Sequence, residues 1–321
     1  MLGGTRFVGK HIALEALSRG HSVTTFTRGT NLLPGTNSLI GDRKAGDLSA
    51  IEGMLFDAVI DVNAYIPREV KQAAEILKGA TKHYTFISTV SVYSPKAGSV
   101  SEEDALQVLP DPTVEEVTNE AYGGLKVLCE LEAEKAYPGI TQIIRPHLVV
   151  GPYDPTDRFT YWPRRFARGG EVLLPGGPDV TLQYVDARDQ AAFVIDGVEQ
   201  GRMGSFNSCA APVTWGALVE AARAAGLSFT PIWADEAFLL EQKVQPWADL
   251  PAWIPSQDTN RGMLNTNNAK ALQAGMKIRS LAETFKDVLD WDRTRDTALS
   301  TGLSAEREAE VLDAWKAQSG G

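Results

Sequence analysis

Tyr122 and Lys126 stand four residues apart in the run YGGLK, inside a stretch whose apolar residues recur at helical spacing. Residues four apart share one face of a helix, so a lysine ammonium and a phenol would lie side by side. A positive charge near a phenol favours the phenolate and draws its pKa down from about 10 towards neutrality. Such a tyrosine can give or take a proton at a carbonyl or an alcohol. Upstream, Thr89 ends an apolar run in FISTVSVY, where its hydroxyl can hydrogen-bond the same oxygen. A lone tyrosine–lysine spacing is usually an ordinary solvated helix face. The threonine and a glycine-rich start raise this one above that.

The start reads LGGTRFVG over residues 2–9, and a helical pattern follows at once. A tight glycine turn between strand and helix lets backbone N–H groups approach a pyrophosphate at the helix N-terminus. A third glycine of the usual pattern would fall at position 6, where the chain has Arg6. Either the approach is less open there, or the arginine itself contacts the anion. Where NAD-binding sheets end their second strand with a carboxylate for the ribose 2′-hydroxyl, this chain has Thr27, Arg28 and Gly29. An arginine suits a 2′-phosphate through charge-assisted contacts, the alternative being a solvated loop residue. Asp42, after the third strand, is placed to contact adenine.

These side chains need a frame. Apolar runs at 23–27, 38–40, 56–62, 84–89 and 140–146 read as strands. Helical patterns at 7–19, 68–77 and 122–137 lie between them. Strands alternating with helices, most of the strands apolar on both faces, predict an α/β fold with a parallel sheet covered by helices. Past Gly151 the chain turns rich in Gly, Pro and Arg, and QYVDARD (183–189) leads into a short helix. Residues 206–208 read as a last strand returning to the sheet. Six of the seven tryptophans lie from position 214 onwards, which predicts a smaller, mainly helical lobe with aromatic walls. Residues 94–119 read as a surface loop.

The chain has 321 residues and a net charge of −10, from 31 Lys plus Arg against 41 Asp plus Glu. That balance disfavours nucleic acid and anionic membranes as partners. Cys129 and Cys209 match no zinc or disulfide spacing, and no apolar run approaches the roughly 20 residues that cross a bilayer. A cytoplasmic protein with a small-molecule substrate is expected, and a homodimer is allowed. His11, His21 and His83 form no metal-ligand cluster, so no metal is expected.

With these residues in hand, the chain resembles the extended short-chain dehydrogenase/reductases, the NAD-dependent epimerase/dehydratase group. GGTRFVG (3–9), FISTVSVY (86–93), YGGLK (122–126), RPHLVVGP (145–152) and QYVDARD (183–189) carry the resemblance in family order. The first is similar to an atypical subgroup that includes chloroplast stem-loop RNA-binding proteins. The resemblance implies a Rossmann-type doubly wound parallel sheet over residues 1–152, with 183–213 returning to it. A substrate lobe would comprise 153–182 and 214–321. By the same resemblance Tyr122 is the acid/base, Lys126 binds the nicotinamide ribose and tunes Tyr122, and Thr89 holds the substrate oxygen. Gly3, Thr5, Arg6, Phe7, Val8 and Gly9 would line the pyrophosphate. Asp42 and Arg43 would flank the adenine, Val62, Asn63 and Ala64 would lie under the cofactor, and Pro146 would border it. NADP(H) is the preferred cofactor, with NAD(H) as the alternative.

The substrate side matches less well. Family members that act on nucleotide sugars grip the diphosphate with an arginine where this chain has Leu182 and an asparagine where it has Leu148. Charge-assisted contacts are worth roughly 1.5–3 kcal/mol each. Arg158, Arg164 and Arg165 either replace them or form a solvated basic loop. His147 either lines the pocket or, the favoured reading, is a hydrogen-bonded strand-end histidine. The reading is therefore an oxidoreductase acting on a carbonyl or secondary alcohol. A nucleotide-sugar epimerase/dehydratase is one alternative, and a non-catalytic cofactor-binding regulator or RNA-binding protein is the other.

Only Met1 and Leu2 precede the glycines, whereas a strand normally takes about 5–6 residues. The first strand is expected between the strands beginning near 38 and 56. A native start about 5–8 residues upstream is accordingly expected.

Overall fold

In the computed structural model, which describes residues 1–319, a parallel sheet carries the first two thirds of the chain. Its strands are β1 (Thr24–Thr27), β2 (Asn37–Ile40), β3 (Val59–Asp61), β4 (Tyr84–Ile87), β5 (Thr141–Pro146) and, later in the chain, β7 (Gly204–Ser208). β4 and β5 are buried at every position, as a strand covered on both faces must be. The order across the sheet is β2, β1, Met1–Leu2, β3, β4, β5, β7. That is the doubly wound arrangement, in which the order reverses beside the first strand.

Met1 and Leu2 fill the central position with few residues and many bonds. The Leu2 amide donates to the Ile60 carbonyl and the Phe26 amide to the Met1 carbonyl, both at 2.9 Å. Gly3 and Val62 donate to Phe26 and Leu2, and the Met1 ammonium donates to the Thr24 carbonyl at 2.7 Å. The expected place of this segment is corrected on one side: its neighbour is β1, not β2, because β2 pairs only on the far edge of β1. The strand expected over 56–62 narrows to Val59–Asp61, with Phe56 making a single bridge to Thr81.

Helices cover both faces. α1 (Phe7–Ser18) and α5 (Ala187–Gln200) pack on one side, around Ile12, Ile144 and Phe193. α2 (Pro67–Leu77) and α3 (Asn119–Ala136) pack on the other, around Leu77, Phe86 and Tyr137. α5 is longer than the short helix expected; Asp186 caps its start by accepting from the Arg188 amide at 2.9 Å.

Beyond the sheet, β6 (Glu171–Pro175) pairs with β8 (Thr230–Ala234). Around them lie α4 (Tyr161–Ala167), α6 (Trp215–Ala224) and α7 (Leu281–Asp292). Trp162, Trp215 and Trp253 are fully buried in this core with Phe166 and Phe285. These aromatic residues build the interior of the region, while Trp247, packed against the same core, reaches a cavity wall. Among the described residues no helix is long and apolar enough to cross a membrane.

Candidate active site

A cavity of about 650 Å³ opens at the C-terminal ends of the sheet strands. Its floor is the glycine turn. Gly9, in the first turn of α1, packs against Gly4 so closely that a Cβ there would lie 2.7 Å from the Gly4 Cα. Only glycine permits that approach of helix to turn. Arg6 is the N-cap residue of α1 but makes no capping bond, and its side chain is exposed on the cavity wall. Among the described residues the helix start thus presents N–H groups without a side-chain cap, and an Arg6 without an ion pair, to the cavity, an arrangement suited to an anion. Phe7 follows with φ of +34°, a sparsely populated conformation for a residue with a side chain. Gly3, Thr5, Arg6, Phe7, Val8 and Gly9 all line the cavity.

At one end stand Arg28, Asp42, Arg43 and Lys44. Arg28 is exposed, and no hydrogen bond or ion pair engages its side chain among the described residues. The Asp42 carboxylate accepts from the Lys44 amide at 3.0 Å. Arg43, expected beside the adenine, turns inward instead. It grips Asp61 with two bonds of 2.6 and 2.9 Å and also donates to the Asn63 side chain and the Glu69 carbonyl. Asp61 is 0% exposed and takes a further bond from the Tyr84 hydroxyl at 3.0 Å. Burial alone would raise its pKa, but the Arg43 guanidinium and Tyr84 outweigh burial and hold the carboxyl below its ordinary range. A carboxylate inside the apolar run FDAVIDV was the sequence signal for this pair, since a buried charge needs a partner. Val62 and Asn63 line the cavity, whereas Ala64 is fully buried behind its wall and does not.

Thr89, Tyr122 and Lys126 come together here. Thr89 sits just beyond β4 and opens a 3₁₀ turn, its Oγ1 accepting from the Ser91 amide at 3.1 Å. Tyr122 lies in the first turn of α3, which Thr118 caps by accepting from the Ala121 amide. Gly123 lets the helix dock there: a Cβ would lie 2.1 Å from the Ser91 carbonyl oxygen. That contact holds Tyr122 against Thr89.

Lys126 is 3% exposed, and its Nζ donates to the carbonyls of Ala64 at 2.9 Å and Ile87 at 2.8 Å. Burial pushes its pKa down to about 8. Burial likewise pushes the Tyr122 phenol up to about 12, with the Thr89 hydroxyl acting in the opposite sense. The lysine ammonium is directed at two carbonyls, and burial outweighs the groups that draw the phenol down.

The far end is made by Pro146, His147, Leu148, Pro155, Thr156, Arg158, Trp247 and Met263. His147 Nδ1 accepts from the Leu148 amide at 2.7 Å, which assigns the proton to Nε2 for donation to the Met263 carbonyl at 2.9 Å. Burial pushes His147 down to about 4, so the ring is neutral. Leu182 is fully buried in the core beyond the sheet and does not reach the cavity. Of the three arginines singled out, only Arg158 does. Trp247 is the one tryptophan on the wall, and Tyr65, Thr156 and Met263 also line it; the sequence carried no signal for any of these four. Among the described residues no His, Cys, Asp and Glu cluster could hold a metal ion.

Residues 1–207 match the NAD dependent epimerase/dehydratase family. The chain belongs to this family. Its fold is the Rossmann-like parallel sheet of the solved epimerase structures. The chain is similar to the chloroplast stem-loop binding protein of 41 kDa b of Arabidopsis thaliana, 28% identical over 250 residues. The match covers 70% of this chain and 62% of that protein, so under two thirds of the relative's length is represented. Among solved structures, UDP-N-acetylglucosamine 4-epimerase from Bacillus cereus superposes with a TM-score of 0.66 at 16% identity, covering 92% of this chain and 96% of that one. UDP-glucuronic acid 4-epimerase from Bacillus cereus, in complex with NAD, gives 0.63 at 16% identity, covering 91% and 97%. At such identities the likeness speaks for the fold.

Proposed function

We propose that this protein is a nicotinamide-dependent enzyme that works on a secondary alcohol or its ketone through transient oxidation, leading to epimerisation or dehydration. The observation that carries the reading is the convergence of Tyr122, Thr89 and the Lys126 ammonium on the cavity that also receives the open start of α1. Bound NAD(P) would supply the hydride chemistry. The turn from Gly3 to Gly9 would hold its pyrophosphate, Asp42 its adenine and Lys126 its nicotinamide ribose. In the oxidising direction Tyr122 would take the alcohol proton as its phenolate, and the phenol so formed would return a proton to the ketone oxygen. Thr89 fixes that oxygen.

NAD(H) is supported by the NAD-bound structural neighbour. Arg28, exposed and unpaired, adds a fit for a 2′-phosphate, which makes NADP(H) the preferred form. The epimerase names of the neighbours favour returning the hydride over net reduction of a carbonyl. They also favour a sugar-like substrate, with a nucleotide sugar as the specific case they support.

Turnover of a panel of sugars and their nucleotide derivatives, in wild type and Tyr122→Phe, tests this. The variant removes only the ionisable hydroxyl. Cofactor binding should persist while turnover falls by roughly 10²-fold or more. Equal turnover in the two proteins would remove Tyr122 from the chemistry.

A further inference from the structure

The segment after the sheet carries Arg158, Arg164, Arg165 and Arg168. Three of them are neutralised: Arg164 by Asp292, and Arg165 and Arg168 by a shared Glu308. Arg158 forms no ion pair among the described residues. Its Nε donates to the Thr156 hydroxyl at 3.0 Å, and the Trp247 ring lies 5.7 Å from its guanidinium carbon. Nη1 and Nη2 have no hydrogen-bond partner among the described residues. Of the acids in the same loop, Asp154 feels the Arg158 charge but forms no ion pair with it. Asp154 accepts from the amide and hydroxyl of Thr156, and Asp157 pairs with Arg295.

Arg158 is half-buried on the wall it shares with Leu148, Pro155, Trp247 and Met263, so its surroundings are mostly apolar. A guanidinium fork that is partly desolvated and unfilled matches the two oxygens of a carboxylate or a phosphate. Its field reaches the reacting end of the cavity, where it draws down both the Tyr122 phenol and the His147 ring.

We propose that Arg158 determines substrate specificity by binding an oxyanion of the substrate close to the carbon whose oxygen meets Tyr122, with Trp247 packed over the pair. The proposal rests on the acid/base reading of Tyr122. Size supports a short distance between the two groups. Pockets for one ligand commonly span about 300–1,000 Å³, and this cavity of about 650 Å³ has to admit a dinucleotide as well as the substrate. The oxyanion can belong to a sugar acid, a sugar phosphate or the diphosphate of a nucleotide sugar.

The test is a binding titration of the NAD-saturated protein, followed by tryptophan fluorescence and checked by calorimetry. The probes are glucose, glucuronate, glucose 6-phosphate and UDP-glucose. At least one anion should bind about tenfold or more tighter than glucose, and the one that does identifies the source of the oxyanion. Arg158→Gln should lose about tenfold for that anion, with glucose and NAD affinities unchanged, and Arg158→Lys should keep part of the preference. Tyr122→Phe should bind the anion as wild type does. Anions that bind no tighter than glucose, or a preference that survives Arg158→Gln, overturn the proposal. Loss of NAD binding, or turnover indifferent to Tyr122, would instead strike the functional reading and leave the anion result standing.

Discussion

Two arginines of the cavity wall, Arg43 at one end and Arg158 at the other, are treated in opposite ways. At the cofactor end Arg43 is locked onto Asp61 and further tied to Asn63 and the Glu69 carbonyl. At the substrate end Arg158 meets the Thr156 hydroxyl and the Trp247 ring and forms no ion pair among the described residues. The cofactor end is built from consecutive backbone, a turn and the first turn of a helix, over a charge pair that the fold itself neutralises. The other end is built from side chains drawn from separate segments around positions 147, 156, 247 and 263. Charge that the fold balances is structural. Charge that it leaves open is available for recognition.

Stability measurements can break that contrast most directly. Arg43→Ala leaves Asp61 buried and unpaired, and urea denaturation should register a loss of about 3–5 kcal/mol. Arg158→Gln orphans no carboxylate and should stay within about 0.5 kcal/mol of wild type. Similar losses in the two variants would end the distinction. A smaller effect sharpens the account of the cofactor end. Arg28→Ala should weaken NADP by about tenfold with little change in NAD, as calorimetry would show; an unchanged ratio would leave Arg28 without a role.

The smallest effect concerns acid. His147 ordinarily titrates near 6.5 but is pushed down to about 4 by burial. The unfolded chain takes up this proton before the folded one does. Stability should therefore fall as pH drops from about 6.5 to 4. Thermal melts across that range should show a shallower fall for His147→Gln, and identical slopes would mean the ring is not held neutral.

Local pattern carried most of the fold. The strands at 84–87 and 141–146 and the helices α1 and α2 fall close to where periodicity put them, because burial on one or both faces repeats along the chain. The glycine turn was readable for a related reason: backbone that must pass close to backbone tolerates few residues. What could not be read were pairings across long separations. Nothing adjacent to Lys126 in sequence says that its ammonium will meet the carbonyls of Ala64 and Ile87 instead of the phenol four residues away. Asp61 in an apolar run announced a buried charge but not that Arg43, from the turn after β2, would be its partner, and nothing pointed to Trp247. Tryptophan content announced an aromatic region but not which ring would face the cavity, since that depends on how α4, α6 and α7 pack.

Lys126 has a consequence that follows from counting hydrogens. An ammonium owns three, and two are held by the carbonyls of Ala64, just past β3, and Ile87, the last residue of β4. One remains to offer a ligand. The same side chain is thus a rivet between two strand ends and a contact for whatever enters the cavity, and no substitution removes one duty while sparing the other. Once the lysine gives up its proton, near the value of about 8 to which burial pushes it, only two hydrogens are left. The neutral amine then has enough for the rivet and none for the guest.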